Sequence, residues 1–276
     1  MNAKPSWDSY PPDGLSITEQ ALFEVWDRLE KFHDDLVVVG GLAVHYHTRD
    51  SGSPLHPAAP TLDVDFGIRL GTEAGMKGTV QFDLMQAGYE EVEDRMVKKL
   101  ENGRNLYVDF LTEHPPRTTG TRNVSDVIAS ICPGINRALE EREFQDISGV
   151  DRYGDRRAYR VPICGIGPLL VLKLNAFAER THEKKAKDAY DILALVSSCS
   201  QGPRAAIEAF HSEKTKGNPS MDRALECLRE NFREVTSLAP QLAATFRYGA
   251  DMNPENGLLL REDLVTIAQE LLDENE

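Results

Sequence analysis

The sequence has few cysteines, no long apolar stretch and fewer basic than acidic residues. Its four cysteines are scattered among 276 residues without metal-ligand spacing, so they argue against a disulfide framework and a zinc site. No segment reaches the apolar length of a membrane-spanning helix, and the N-terminal residues lack the apolar run of a signal peptide. We therefore expect a cytoplasmic protein with reduced thiols and no membrane partner.

Basic residues are too few for an extended nucleic-acid surface. Lysine and arginine number 31 against 45 aspartates and glutamates, a formal net charge of −14. Each phosphate contact needs a cation, so this balance argues against a long nucleic-acid track. It still allows a nucleotide or one RNA end to bind in a local basic pocket. The hydrophobic content of 41% and the length indicate a globular chain of one large or two modest domains.

Two short stretches of the sequence give the clearest indication of a functional site. The apolar run Leu36–Val39 stops at Gly40 and Gly41, and the later stretch Thr61–Ile68 alternates apolar and acidic residues. Alternation with period two predicts a strand with one apolar face and with Asp63 and Asp65 on the other face. The two aspartates would lie about 7 Å apart along that strand, from a rise of about 3.3 Å per residue.

This pattern predicts a site for metal and phosphate. Adjacent carboxylates repel each other and are tolerated best beside a cation, and Mg²⁺ prefers oxygen ligands. Glycines after a strand leave backbone N–H groups open to an anion. The alternatives are a solvated strand face for the aspartates and an ordinary turn for the two glycines.

A third carboxylate lies on a predicted hairpin. Segments Arg95–Leu100 and Asn105–Leu111 have strand character and flank the turn signal at Asn102 and Gly103. Asp109 is then an isolated carboxylate within an apolar run. Such an acid is paired, metal-bound or on an exposed face.

The remaining patterns predict the domain organisation. Residues 1–15 form an extended arm, residues 16–165 an α/β domain with a mixed sheet and flanking helices, and residues 166–276 a mostly helical domain. A ligand cleft is expected between the two domains. In the α/β domain we predict a helix from a capping box at Ser16–Glu19 to Phe32, another over Glu73–Ala87, and a strand pair over 144–150 and 158–163. The later helices are predicted over Leu169–Glu179, Lys184–Val196, Arg204–His211, Asp222–Glu234 and Arg261–Leu272.

Charged residues of the later helices form a further candidate site. Lys173 and Arg180 are seven residues apart, on one face of a helix, and can bind a polyphosphate or form a solvated basic face. On the next helix Lys187 and Asp191 can pair at a spacing of four, and Asp188 can orient a neighbouring lysine or bind substrate.

In this order, the motifs resemble the DNA polymerase β-type nucleotidyltransferases, over roughly Leu36 to Leu195. Within that superfamily the chain is most similar to the AbiEii-like group, toxins of bacterial toxin–antitoxin pairs. The resemblance implies a nucleotidyltransferase-type mixed sheet and transfer of a nucleoside monophosphate from an NTP to an acceptor hydroxyl. It also implies an antitoxin protein as a partner. The acceptor stays open between a tRNA acceptor end, another protein and a small molecule such as an aminoglycoside, and the net charge of −14 favours one RNA end over a long duplex.

The resemblance also implies residue roles. Asp63, Asp65 and Asp109 would hold one or two Mg²⁺ ions, and Asp109 would accept the proton of the acceptor hydroxyl. Gly40 and Gly41 would contact the triphosphate. The substrate-binding set is completed by charged residues of the later helices, Lys173, Arg180, Lys187, Asp188 and Asp191.

The chain departs from the family at two places. Gly41 stands where the family often has serine, and the stretch between Gly41 and Asp63 is longer than usual. Two other functions remain open: a catalytically silent protein that binds a nucleotide or an antitoxin, and a metal-dependent phosphohydrolase.

Overall fold

The structure is a computed structural model. It describes residues 6–52, 55–69, 79–100, 103–151 and 153–273, with no side chains for residues 182 and 183. The chain forms two compact units built from separate segments. We call Pro12–Ala43 with Thr61–Gly165 the sheet unit. The helical unit contains Val44–Pro60, the residues before Pro12 and the chain from Ile166 onward.

The sheet unit is a mixed α/β structure. Its helices are α1 (Gly14–Arg28), the start of α2 (Gly40–Thr48), α3 (Val80–Gln86) and α4 (Ile135–Glu140). Its strands are β1 (Leu36–Val39), β2 (Asp63–Ile68), β3 (Glu90–Val92), β4 (Arg95–Lys99), β5 (Asn105–Thr112), β6 (Thr121–Val124), β7 (Val127–Ile131), β8 (Arg142–Val150) and β9 (Arg156–Cys164).

Within the described residues, both parallel and antiparallel pairs occur in one sheet of nine strands. The main path runs β3-β4-β5-β2-β1-β9-β8, and β7 joins β5 with β6 beside it. Strand β2 is antiparallel to β1 and parallel to β5. The predicted mixed sheet with flanking helices is therefore confirmed.

One face of β2 and β5 forms the core of the sheet unit. Val64, Phe66 and Phe110 are buried on this face. The ring of Trp26 on α1 stacks on Phe66 with 6.3 Å between centroids, and Phe66 stacks on Phe110 at 6.0 Å. Since successive side chains of a strand point to opposite faces, the aspartates of β2 and β5 lie on the face away from this aromatic core.

The helical unit has its own aromatic core. Its helices are α5 (Ile166–Glu179), α6 (His182–Ser197), α7 (Pro203–Thr215), α8 (Met221–Asn231), α9 (Leu238–Tyr248) and α10 (Pro254–Leu272). Tyr190 of α6 packs on Phe246 of α9 with ring centroids 5.6 Å apart. Helices α5 and α7 pack closely at Gly167. A Cβ added to this glycine would lie only 2.4 Å from the carbonyl oxygen of Ala209.

Most predicted elements of the sheet unit are present, but its first helix begins earlier than expected. The strands around the two glycines and the aspartates are confirmed, as are the β4–β5 hairpin and the β8–β9 pair. The capping-box prediction is wrong, because Ile17 already donates its backbone N–H to the Asp13 carbonyl at 3.0 Å. The first helical turn thus forms before Ser16, and α1 ends at Arg28 rather than near Phe32.

Other predictions are confirmed only in part or fall outside the described residues. Of the helix predicted over Glu73–Ala87, Val80–Gln86 is helical, while residues 73–78 lie outside the described part. Asn102 of the hairpin turn also lies outside it. The sequence patterns did not predict β3, β6, β7, α4 or α9.

The four cysteines, all within the described residues, form no disulfide with one another, and Cys164, Cys199 and Cys227 are buried. No helix within the described residues is both long and apolar enough to cross a membrane.

Candidate functional site

The three predicted aspartates of the sheet unit lie on adjacent strands and on one face. In the parallel pairing of β2 with β5, Asp65 lies opposite Asp109, and Asp63 lies opposite Tyr107. The three aspartates are partly exposed. Val64, which separates the two aspartates of β2, is buried, as are Val108 and Phe110 on either side of Asp109. The alternation in the sequence therefore places three carboxylates together above a buried apolar face.

Gly40 allows the Asp65 carboxylate to approach the backbone where β1 ends and α2 begins. A Cβ added at Gly40 would lie 1.9 Å from Oδ2 of Asp65, closer than any side chain permits. Gly40 also has a positive φ of 66°, a conformation that favours glycine. The start of a helix carries partial positive charge, so this position favours a carboxylate.

Arg95 of β4 binds two of the three carboxylates. Its Nε donates to Oδ1 of Asp109 at 2.6 Å, and one terminal nitrogen donates to Oδ2 of Asp109 at 2.5 Å. The same terminal nitrogen donates to Oδ1 of Asp63 at 3.1 Å. The guanidinium carbon lies 3.9 Å from the ring centroid of Tyr107. A bidentate ion pair and a cation–π contact thus fix the arginine over the carboxylate face.

The pKa values of Asp109 and Arg95 reflect this arrangement. Burial raises the pKa of Asp109, and the charges of Asp63 and Asp94 act in the same direction, while Arg95 opposes them. Burial alone would lower the pKa of Arg95, but its hydrogen bond to Asp109 and the charges of both carboxylates raise it overall. The guanidinium therefore neutralises a strongly repulsive set of carboxylates.

The donor set of this face has the chemistry that Mg²⁺ requires. Asp63, Asp65 and Asp109 supply carboxylate oxygens, the ligand type that this hard cation prefers. Within the described residues, however, no group of three or more His, Cys, Asp or Glu side chains is arranged so that it could hold a metal ion.

The charged residues predicted in the helical unit come together in one ion-pair network. Nζ of Lys173 lies 2.6 Å from Oδ2 of Asp191 and 3.3 Å from Oδ1 of Asp188. Lys187 pairs with the same oxygen of Asp191 at 2.9 Å, as its spacing of four residues predicted. Arg180, just beyond the end of α5, pairs with Asp188 at 2.8 Å.

This network is buried at its centre and exposed at its edge. The side chains of Asp188 and Asp191 are 1% and 0% exposed, Lys173 is 8% exposed and Arg180 is 46% exposed. Burial alone would raise the pKa of Asp191, but the charges of Lys173 and Lys187 lower it overall. Lys173 is therefore a buried partner of two aspartates rather than part of a solvated basic face.

The sequence interpretation did not include Arg95, which lies in the candidate site. A signal was available, because the predicted hairpin turn fixes a register in which Met96 lies opposite Val108. An arginine next to Met96 therefore lies beside Asp109.

No protein-family model and no curated protein matches the sequence. The solution structure of the antibiotic-resistance factor ANT(2'')-Ia is 11% identical, with a TM-score of 0.35, and the match covers 76% of this chain and 95% of that protein. The CD-NTase CdnG of Bradyrhizobium diazoefficiens, solved in complex with GTP, is 12% identical, with a TM-score of 0.27 and coverage of 95% and 87%.

Proposed function

We propose that this protein is a nucleotidyltransferase that moves a nucleoside monophosphate from an NTP to an acceptor hydroxyl and releases pyrophosphate. One observation carries the proposal: Asp63, Asp65 and Asp109 share one face of two parallel strands, and the Asp65 carboxylate lies against Gly40. A set of carboxylates beside a helix start combines metal ligands with backbone donors for phosphate, as nucleotidyl transfer requires.

The carboxylates are proposed to hold one or two Mg²⁺ ions. When bound, the metal would neutralise charge on the phosphoryl group and on the attacking and leaving oxygens. Asp109 is the proposed base for the acceptor hydroxyl, and burial raises the pKa of its carboxyl. A carboxylate with a raised pKa accepts a proton more readily near neutral pH.

The phosphates are proposed to bind to the backbone N–H groups of Gly40 and Gly41. Separately, the charged residues of α5 and α6 are proposed to bind substrate. Arg180 is half-exposed and is oriented by Asp188, so it is the member of the ion-pair network that a phosphate in solvent reaches most easily. Lys173, Lys187 and Asp191 are then proposed to hold this part of the site in place. The substrate-binding role of all five residues remains a prediction.

The finer assignments are also proposals. We propose a cytoplasmic toxin of the AbiEii-like branch, with a tRNA acceptor end as the acceptor and a cognate antitoxin as the partner. The net charge of −14 favours a short RNA footprint over a long one.

A second candidate is a catalytically silent protein that binds a nucleotide or an antitoxin. The observation that favours it is Arg95, since its guanidinium pairs with both Asp63 and Asp109. A protein whose arginine never leaves these carboxylates would not assemble a metal site.

Incubation with each α-labelled NTP, Mg²⁺ and total RNA distinguishes these functions. We expect label to enter RNA, with release of pyrophosphate. Release of orthophosphate without transfer would indicate a phosphohydrolase. Nucleotide binding without turnover on RNA, protein or small-molecule acceptors would support the silent protein and contradict the proposed activity.

A further inference from the structure

Strand β8 is an open edge of the sheet. It ends the main path of the sheet, and in the described part of the chain no backbone–backbone hydrogen bond joins residues 142–150 to an element other than β9. Five of its nine residues are exposed. The outward N–H and C=O groups of such an edge are a template for pairing with a further strand.

An exposed aromatic side chain with charged neighbours lies on this edge strand. Phe144 is 52% exposed, and the guanidinium carbons of Arg142 and Arg160 lie 5.7 and 5.4 Å from the centroid of its ring. Arg142 and Asp146 are each two residues from Phe144, so all three side chains share one face of β8. Along this face the ring therefore has a positive neighbour on one side and a negative neighbour on the other.

This face is complementary to itself. A two-fold axis perpendicular to the sheet pairs β8 antiparallel with β8 of a second copy, and each contact then occurs twice. With the axis at Phe144, the two rings lie opposite each other and Arg142 lies opposite Asp146 of the second copy. Aromatic pairs and opposite charges are favourable at directly opposed positions. An axis at Asp146 would instead oppose two like charges, which is unfavourable.

Arg142 keeps its contacts within the chain in this arrangement. Its Nη1 donates to the carbonyl oxygens of Asp34 and Leu36 at 2.9 and 3.5 Å. A guanidinium has five N–H donors, so these contacts leave donors for a carboxylate. Asp146 lies opposite Arg160 in the register of β8 with β9. Its carboxylate would therefore lie between Arg160 of its own chain and Arg142 of the second copy.

We propose that this protein forms a two-fold symmetric dimer in which β8 pairs with β8 of a second copy, in the register centred on Phe144. The new ladder covers Arg142–Asp146 of each copy and joins the two sheets into one. Strands β9 and β1 separate β8 from β2. The dimer thus involves none of the carboxylates of the candidate site, and the proposal does not depend on the proposed function.

Sedimentation velocity of the full chain over a range of concentrations measures the dimer, and exchanged charges test the pairing. Arg142→Asp opposes two acids across each contact, and Asp146→Arg opposes two bases. We expect each variant to dimerise at least about tenfold more weakly than wild type, because two attractive pairs become repulsive. An equimolar mixture of the two variants restores opposite charges, so a heterodimer should form. Arg156→Asp is the matched control, since this exposed arginine of the same hairpin lies outside the ladder.

Cysteine cross-linking tests the register independently of charge. Phe144→Cys opposes two thiols across the axis, within the Cα separation of about 4.4–6.8 Å that a disulfide requires. Oxidation should therefore link two chains. Ser148→Cys is the control on the same face, because its two copies would lie about 26 Å apart along the strands, from a rise of about 3.3 Å per residue. Oxidised wild type gives the background from the four native cysteines.

Several outcomes would overturn the proposal. A wild-type protein that stays monomeric at every concentration would do so, and would leave this edge to a partner of another kind. Dimers that persist unchanged in both charge variants, or folded charge variants that form no heterodimer when mixed, would exclude the β8 pairing. Equal cross-linking at positions 144 and 148 would exclude the register. Circular dichroism checks folding, and if Arg142→Asp does not fold, the cross-linking of Phe144→Cys decides the question.

Discussion

Gly40 places a carboxylate beside the first turn of a helix, and no other residue type fits there. The contact has two separate causes, the positive φ of 66° and the 1.9 Å approach of Asp65 to the position of a Cβ. Gly103, in the same unit, also has a positive φ, of 81°, but no atom of the described residues lies within 4 Å of its Cβ position. A comparison of alanine substitutions at the two glycines therefore separates two costs: that of a side chain at positive φ, and that of a clash with the Asp65 carboxylate.

We predict that Gly40→Ala destabilises the protein more than Gly103→Ala does. Both variants place alanine at positive φ, at a cost of about 1–2 kcal/mol. Gly40→Ala adds the displacement of Asp65, at about 1–3 kcal/mol by analogy with overpacked cores. Urea denaturation of the two variants measures the difference. Equal losses would show that Asp65 is not held against this backbone.

A buried ion-pair network connects α5 and α6 in the helical unit. Asp191 is fully buried, and its Oδ2 forms ion pairs with Lys173 and Lys187. Its Oδ1 is also buried and has no hydrogen-bond partner among the described residues. Removing one partner of a buried pair leaves an uncompensated charge.

We predict that Lys173→Met lowers the unfolding free energy by about 3–5 kcal/mol. Methionine keeps the apolar stem of the side chain but leaves Asp188 and Asp191 without this cation. The matched control is Arg204→Met, since the Arg204–Glu208 pair is exposed and should contribute little. The measurement is urea denaturation at neutral pH. A loss no larger than that of the control would contradict the buried network.

The lowered pKa of Asp191 predicts a pH dependence with a definite sign. A carboxyl whose folded pKa lies below its unfolded value of about 3.9 stabilises the protein above that pH. This contribution is lost as the pH falls through the folded pKa. We therefore expect the stability advantage of wild type over Asp191→Asn to shrink below about pH 4. An advantage that stays constant or grows on acidification would contradict the ion pairing of Asp191.

Local sequence patterns were sufficient to predict some elements and insufficient for others. Strand β2 was predictable because Val64 and Phe66 alternate with aspartates, and β1 because its apolar run stops at Gly40. Helix α9 was missed, although Phe246 packs on Tyr190, because its stripe of small alanines gives a weak pattern. The α1 start was missed because a plausible cap at Ser16 lies inside the first turns.

Side-chain pairings between elements were less predictable than the elements. The pair of Lys187 with Asp191 follows from one helix and was predicted. Pairing of Lys173 with both aspartates depends on how α5 packs against α6, which periodicity does not encode. The same holds for Arg95, which reaches Asp63 across strand β5.

For the whole molecule, the acidic composition predicts how RNA binding depends on salt. If a tRNA end is the acceptor, two to four phosphate contacts give a slope of log affinity against log salt of roughly −1.4 to −2.8. Titration of tRNA from low to physiological salt measures this slope. A much steeper slope would indicate a long basic surface that contacts many phosphates. Absence of RNA binding at every salt concentration would indicate that the acceptor is a protein or a small molecule.

The central claim is that Asp63, Asp65 and Asp109 form a nucleotidyl-transfer site. The most direct test measures pyrophosphate release from an NTP with Mg²⁺ and total RNA, for wild type, Asp65→Asn and the exposed-residue control Asp146→Asn. We predict release by wild type and the control, and a loss of more than about a hundredfold in Asp65→Asn, because removal of a ligand should cost more than the roughly 10–100-fold typical of a residue that only supports a ligand. Circular dichroism of Asp65→Asn should match wild type. Wild-type turnover by Asp65→Asn, or no pyrophosphate from any NTP, would contradict the claim.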